Sequence, residues 1–332
     1  MKLRRIFHPT DFSPSADVAL RFAIETASRF DAELLVGHVD QRAGADTSRK
    51  ADLERRIRQV IARGMSAMNP RNADALQTSH HVIADQTPGD GVLKFAREHE
   101  VDAIVIARHG VRPIRRLLLG SVALGVLHAA HTDVIVVPDS YDGRREGRIL
   151  VPLDLWDRSS HVVKIAASLS RGFGTSLDLL HVIDLPERLQ LRPETFGSAE
   201  YGPLEDVALK RLKAFADDLG VGGDEDAEAD AEIETSMHVE TGHPASAILA
   251  YADQHETRLL ALASSGMSPD ERIRNYPMEG EIYDELHWKV SRVTERLSTY
   301  TSIPVWVIKR FPTKLRRSRS EIAIHDPSVL DM

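Results

Sequence analysis

Val101-Asp102-Ala103-Ile104-Val105-Ile106 runs into Ala107-Arg108-His109-Gly110, and nine residues later the chain reads Gly120-Ser121. The first six residues form a short apolar run that reads as a buried strand. A strand that feeds a glycine-bounded loop, with a helix beginning at Ser121, is how a parallel sheet offers backbone N–H groups to phosphate. What that loop belongs to is decided by the rest of the chain.

Working outward, the chain repeats itself. Arg5-Ile6-Phe7-His8-Pro9-Thr10-Asp11 returns as Arg148-Ile149-Leu150-Val151-Pro152-Leu153-Asp154, and in the same register Leu34 to Val39 falls on Leu177 to Val182. Val92 to Glu100 answers to Ile248 to Glu256, and Asp133-Val134-Ile135-Val136-Val137 answers to Pro304-Val305-Trp306-Val307-Ile308. The offset grows along the chain, as it does when a duplicated unit of about 140 residues gains insertions in its second copy.

Short apolar strands alternate with longer amphipathic runs in each copy, which implies βαβ crossovers. In the first copy strands are expected over Arg5–His8, Ala32–Val39, His80–Ala84, Asp102–Ala107 and Val134–Val137. Helices are expected from Pro14 to Phe30, Ser48 to Met68, Asp90 to Glu100 and Ser121 to Ala130, the first capped by Ser13. The fold class is therefore α/β: two tandem doubly wound domains, each a five-stranded parallel sheet with helices on both faces. The boundaries fall at residues 1–140 and 146–310, with a C-terminal tail over 311–332. The fifth strands, lying at sheet edges, are expected to pair and join the repeats as a pseudo-dimer.

Composition removes several classes. With no cysteine in 332 residues, disulfides, thiolate nucleophiles and cysteine-bound metals are excluded. A net charge of −8 argues against general nucleic-acid binding, and no run approaches the roughly 20 apolar residues of a membrane span. Neither a nucleic acid nor a membrane is expected as a partner, and the expected location is the cytoplasm.

Pro9-Thr10-Asp11-Phe12-Ser13, the strand end His38-Val39, and His109-Gly110 followed by Leu117-Leu118-Leu119-Gly120-Ser121-Val122 resemble the universal stress protein family in its tandem form. That resemblance implies an ATP site built on a Gly-x-x-Gly-x9-Gly-Ser/Thr loop. Asp11 would lie against the adenosine, Val39 would meet the adenine through its backbone, and Gly110, Gly120 and Ser121 would hold the phosphates. ATP, with or without magnesium, is the expected cofactor; in a hydrolase alternative Asp11 would help hold the magnesium. Ala107 stands where the motif has its first glycine; it is the mildest replacement, provided its backbone angles suit an L-residue.

Each of these residues has a plainer role open to it. Asp11 could serve only the next helix start, Gly110 and Gly120 could be turn glycines, and Val39 could be core. Arg108, Arg112, Arg115 and Arg116 could face solvent or phosphate. His109, His128 and His131 read as surface or helix-end residues, and no metal site is expected.

The second copy keeps Asp154 and Val182 but has Ser291-Arg292 in place of Gly120-Ser121. Its loop, from Gly266 to Ser291, holds six acids against three bases, whereas the first loop has three arginines and no acid, so phosphate is expected only in the first half. Within the second unit the acidic run Asp224–Asp230 reads as a solvated loop between helix and strand; Tyr141–Gly147 reads as a polar linker, and the tail lacks periodicity, its basic cluster reading as solvated. The expected function is an ATP-binding stress-response module with an unnamed protein partner, regulatory rather than enzymatic. Two alternatives stand behind it. One is a ligand-free scaffold; the other is a slow nucleotide hydrolase, which must do without a Walker lysine or an evident general base.

Overall fold

The computed structural model describes residues 2–42, 47–66, 75–110, 119–143, 146–155, 157–184, 198–221, 233–264 and 291–309. The bulk of the glycine-bounded loop, its acidic counterpart in the second copy, Asp224–Asp230 and the tail lie outside these residues.

In chain order the first half holds β1 (Arg5–Pro9), α1 (Pro14–Phe30), β2 (Glu33–Asp40), α2 (Thr47–Met65), β3 (Thr78–Ala84), α3 (Pro88–Glu98), β4 (Ala103–Ala107), α4 (Ser121–Ala129) and β5 (Asp133–Val137). The second holds β6 (Arg148–Leu153), α5 (Asp157–Phe173), β7 (Leu177–Ile183), α6 (Ser198–Asp218), β8 (Thr235–Thr241), α7 (Pro244–Gln254), β9 (Thr257–Ala263), α8 (Arg292–Tyr300) and β10 (Val305–Ile308). Ser13 caps α1 as expected: its Oγ accepts the Ala16 amide at 3.1 Å, with Pro14 in the first turn where a missing N–H costs nothing.

All ten strands form one sheet in the order β3-β2-β1-β4-β5-β10-β9-β6-β7-β8. Neighbours are parallel except β5 and β10, which run antiparallel with Val136 opposite Val305, Ile135 opposite Trp306 and Val134 opposite Val307. The expected edge pairing of the fifth strands is thus present. Within each half the chain starts at a central strand, winds one way and then the other, so the direction reverses between β1 and β4 and between β6 and β9. Loops leaving the carboxyl ends of those pairs open a crevice where ligands sit in open α/β sheets.

One apolar layer, with Leu20, Phe22, Ile57, Leu169 and Leu212, covers one sheet face under α1, α2, α5 and α6. The other, with Phe7, Phe95, Val126, Ile248 and Leu297, lies under α3, α4, α7 and α8. Both layers run through both halves. Polar contacts set the register of the join: the Trp306 indole N–H donates to Asp133 Oδ2 at 3.1 Å and the Lys309 amide to Asp133 Oδ1 at 3.0 Å. A one-residue slip would turn Trp306 to the other face and strand that carboxylate.

Candidate functional site

Asp11 follows β1, and its Oδ1 accepts the Ser13 amide at 3.0 Å, a local turn that holds the carboxylate at the crevice mouth. The next residue, Phe12, has φ of +63°, a left-handed conformation that is rare for a bulky side chain. Its ring is pinned between His38, at a centroid distance of 4.6 Å, and the Arg56 guanidinium, at 4.0 Å. His38 Nδ1 in turn donates to the Thr10 carbonyl at 2.8 Å, tying the end of β2 to the end of β1. A groove of about 470 Å³ beside Phe12 is lined by Arg56, Gln59, Val60, Ala62 and Arg63, and by none of the six residues expected at the nucleotide.

Ala107 is the last residue of β4, paired with Val137, buried, and outside the set of residues with positive φ, so a methyl group there meets no backbone penalty. Beyond it the loop is pinched shut at its base: the Gly120 amide donates to the Arg108 carbonyl at 2.9 Å. A Cβ on Gly120 would stand 3.1 Å from that same oxygen, and one on Gly110 would stand 2.7 Å from Asp11 Oδ2. At Gly110 only glycine lets the chain pass Asp11 this closely, whereas at Gly120 a Cβ would be tight and the carbonyl would have to give by a few tenths of an ångström. Asp11, Ala107, Gly110, Gly120 and Ser121 are therefore gathered at the reversal between β1 and β4. Val39 lies further out, in β2 opposite Ile83 of β3.

Ser121 opens α4, and its N-cap, Gly120, has no side chain with which to occupy the first-turn amides; no acid stands in that turn. The matched helix α8 is built differently. Its neck has the same form, the Ser291 amide donating to the Ser264 carbonyl at 2.9 Å. There, however, Ser291 Oγ accepts the Thr294 amide at 3.0 Å, and Glu295 lies in the first turn. A helix N-terminus attracts anions through free amides and the dipole. The start of α4 leaves its amides to an incoming anion, while α8 supplies its own acceptor and a negative charge.

Two histidines depart from their expected or unremarked status. His109, expected at the surface, is 7% exposed; its Nδ1 bonds Asp139 Oδ2 at 2.9 Å and its buried Nε2 has no partner among the described residues. Asp139 follows β5, and only the adjacency of β4 and β5 brings the pair together. His8 is fully buried in β1, donating from Nδ1 to the Val105 carbonyl at 2.9 Å, with Nε2 again unpartnered among the described residues. Burial pushes its pKa down to about 4, against a smaller upward pull from Asp11, so the ring is neutral near pH 7.

Arg108 makes a contact that neither alternative foresaw. It crosses to the second half and donates from Nη2 to the Thr301 carbonyl, its pKa lowered to about 10 by burial yet still far above neutral. Arg112, Arg115 and Arg116 lie outside the described residues. His128 faces Glu295 at 3.5 Å, and burial lowers the pKa of His131.

Among known proteins, the chain is 25% identical over 152 residues to a universal stress protein of Methanocaldococcus jannaschii, a match spanning 40% of this chain and 94% of that protein. A solved universal stress protein of Archaeoglobus fulgidus covers 94% of this chain and is itself covered over 100%, with a TM-score of 0.57 at 19% identity. A structure from Pseudomonas aeruginosa covers 92%, is covered over 93%, and has a TM-score of 0.58 at 13% identity. These last two likenesses are of fold. The sequence model of the universal stress protein family matches residues 2–138 and again 147–309, and with that double match the chain belongs to the universal stress protein family.

Proposed function

We propose that this protein is a regulatory module that binds one adenine nucleotide, ATP, in its first half. The observation that carries this reading is the contrast between α4, whose first turn is left open at the crevice, and α8, which Ser291 caps and Glu295 makes negative. Gly110, Gly120 and Ser121 would receive the phosphates, Asp11 the ribose and magnesium, and Val39 the adenine through its backbone. Ala107 would form the floor. Gly110 and Ser121 are exposed and Asp11 is half-buried, so a polar ligand can reach all three. Membership of the family supports the same assignment through the resemblance of the loop.

The His109–Asp139 pair favours a second reading, slow hydrolysis. A carboxylate on Nδ1 holds an imidazole in the tautomer whose Nε2 accepts a proton, the arrangement a general base requires. It would supply the base that the sequence alone did not reveal.

Mass spectrometry of the purified full chain, after incubation with excess Mg-ATP and removal of free ligand, tests the assignment. One nucleotide per chain, lost in Asp11→Ala, is expected. Two per chain, or none, would sink it. Phosphate release that stops in His109→Gln while ATP is still bound would decide for the hydrolase.

A further inference from the structure

Helix α4 runs from the proposed phosphate seat to the seam between the halves. Its far end is closed by a residue of the other repeat: Lys309, just past β10 and 3% exposed, points its ammonium at the last carbonyls of α4. Nζ donates to the carbonyl of Leu127, to that of Ala130 at 3.0 Å and to that of His128 at 3.5 Å. The Lys309 amide is fixed by Asp133, which also holds Trp306. The arrangement is reciprocal, because Arg108, at the neck of the loop, closes α8 through the Thr301 carbonyl. Each last helix is finished by a cation from the opposite half, but only α4 begins at an open N-terminus.

From this geometry we infer that Lys309 is a positioning residue for phosphate, coupling the second repeat to the nucleotide site of the first. The inference rests on the nucleotide reading above. A nine-residue helix is about 14 Å long. A buried cation at its carboxyl end stabilises the negative pole, holds the axis so that the first-turn amides keep their aim, and adds a weak attraction for anions at the other end. The sequence gives no hint of the contact, since residues 127 and 309 meet only through the β5–β10 join.

The charge on Lys309 is sensitive to pH. Burial lowers its pKa to about 8, opposed by Asp133. The cation is therefore present below that value and lost as pH rises through it. The other charged groups facing this corner are His131, which burial and the charges of Arg97 and Lys309 keep low, and the His128–Glu295 pair. ATP phosphates are fully ionised above about pH 7, so a loss of affinity between pH 7 and 9 would track the lysine.

The test is calorimetric titration of the full chain with Mg-ATP at pH 7, 8 and 9, for the native protein, Lys309→Met and Lys309→Arg. Native affinity is expected to fall by about two- to fivefold across that range, the order of one unit charge acting over about 14 Å of protein and partly screened by salt. The methionine variant should be weakened by a similar factor at pH 7 and then stay flat, and the arginine variant should hold its affinity to pH 9. A purely structural lysine would alter the melting temperature and leave the pH slope of binding unchanged, so a methionine variant with the native slope overturns the inference. If that variant does not fold, an arginine variant that shares the native decline, or a native profile without one, overturns it equally. If the native protein binds no ATP at any pH, the nucleotide reading has failed and this inference with it.

Discussion

His8 and Val151 occupy matched places in the two repeats, and only the histidine has a proton to gain. Its folded pKa of about 4 lies below the ordinary 6.5, so the unfolded chain binds the proton more tightly and acid favours unfolding. The stabilisation is complete above pH 6.5 and is lost as pH falls toward 4, amounting to about 3 kcal/mol by linkage. His8→Val should cost about 1 kcal/mol at pH 7, for the hydrogen bond lost at Val105, and should flatten the decline between pH 6.5 and 4. Urea midpoints measured across that range check this; a variant that keeps the native slope would place the acid sensitivity elsewhere.

Single residues were also where the sequence was least readable. His109 looked like a surface residue and Arg108 like a phosphate or solvent arginine, yet each is defined by a partner 30 or 193 positions away. No periodicity reports such pairs, because they come into being only when β4 lies against β5 and β5 against β10.

At the scale of elements the reading went further, because strands and helices follow from local patterning. Alternation, Ser13 with Pro14, and the returning strand ends placed the elements of the first half to within a few residues. The two repeats even share unusual details that the shifted register implies. Leu155 takes a positive φ as Phe12 does, and His181 donates to the Leu153 carbonyl at 2.8 Å as His38 does to Thr10. That the strained residue persists in the half without an open anion seat assigns the strain to the turn rather than to the ligand. The difference between the halves lies instead in the caps. Gly120→Ser would give α4 the cap that α8 already has, with the new Oγ competing for the first-turn amides. ATP affinity should fall at least about tenfold. The fold should lose less than about 1 kcal/mol, since glycine and serine caps differ little and the Cβ needs only a few tenths of an ångström from the Arg108 carbonyl. Calorimetry and thermal melting on one preparation separate the two effects, and undiminished affinity would show that phosphate does not use those amides.

For the whole molecule, the central question is whether two repeats on one sheet behave as one unit. The seam buries Trp306 completely, seats its indole on Asp133, and adds an edge contact between the Phe30 and Phe173 rings at 5.5 Å. Glu25 of the first half accepts from Arg258 of the second, and also from Tyr141 at 2.8 Å. If one half unfolded alone, the first would be left with the bare edge of β5 and with Asp133 stripped of its Trp306 and Lys309 donors, and the second with the bare edge of β10 and with the buried cations Lys309 and Arg258 stripped of their acceptors across the seam, each a costly loss. The native chain should therefore unfold in a single transition by circular dichroism and by fluorescence, despite having two repeats. Trp306→Ala removes the side chain that fills the join and leaves Asp133 short of a donor; the expected cost is about 3–5 kcal/mol, the range for emptying a large aromatic site in a core. Because that loss falls on the seam and spares both repeat interiors, the variant should unfold in two resolved steps. Coincident transitions in Trp306→Ala at an unchanged midpoint would mean that the continuity of the sheet, and not the packing across its one antiparallel join, makes the halves act together.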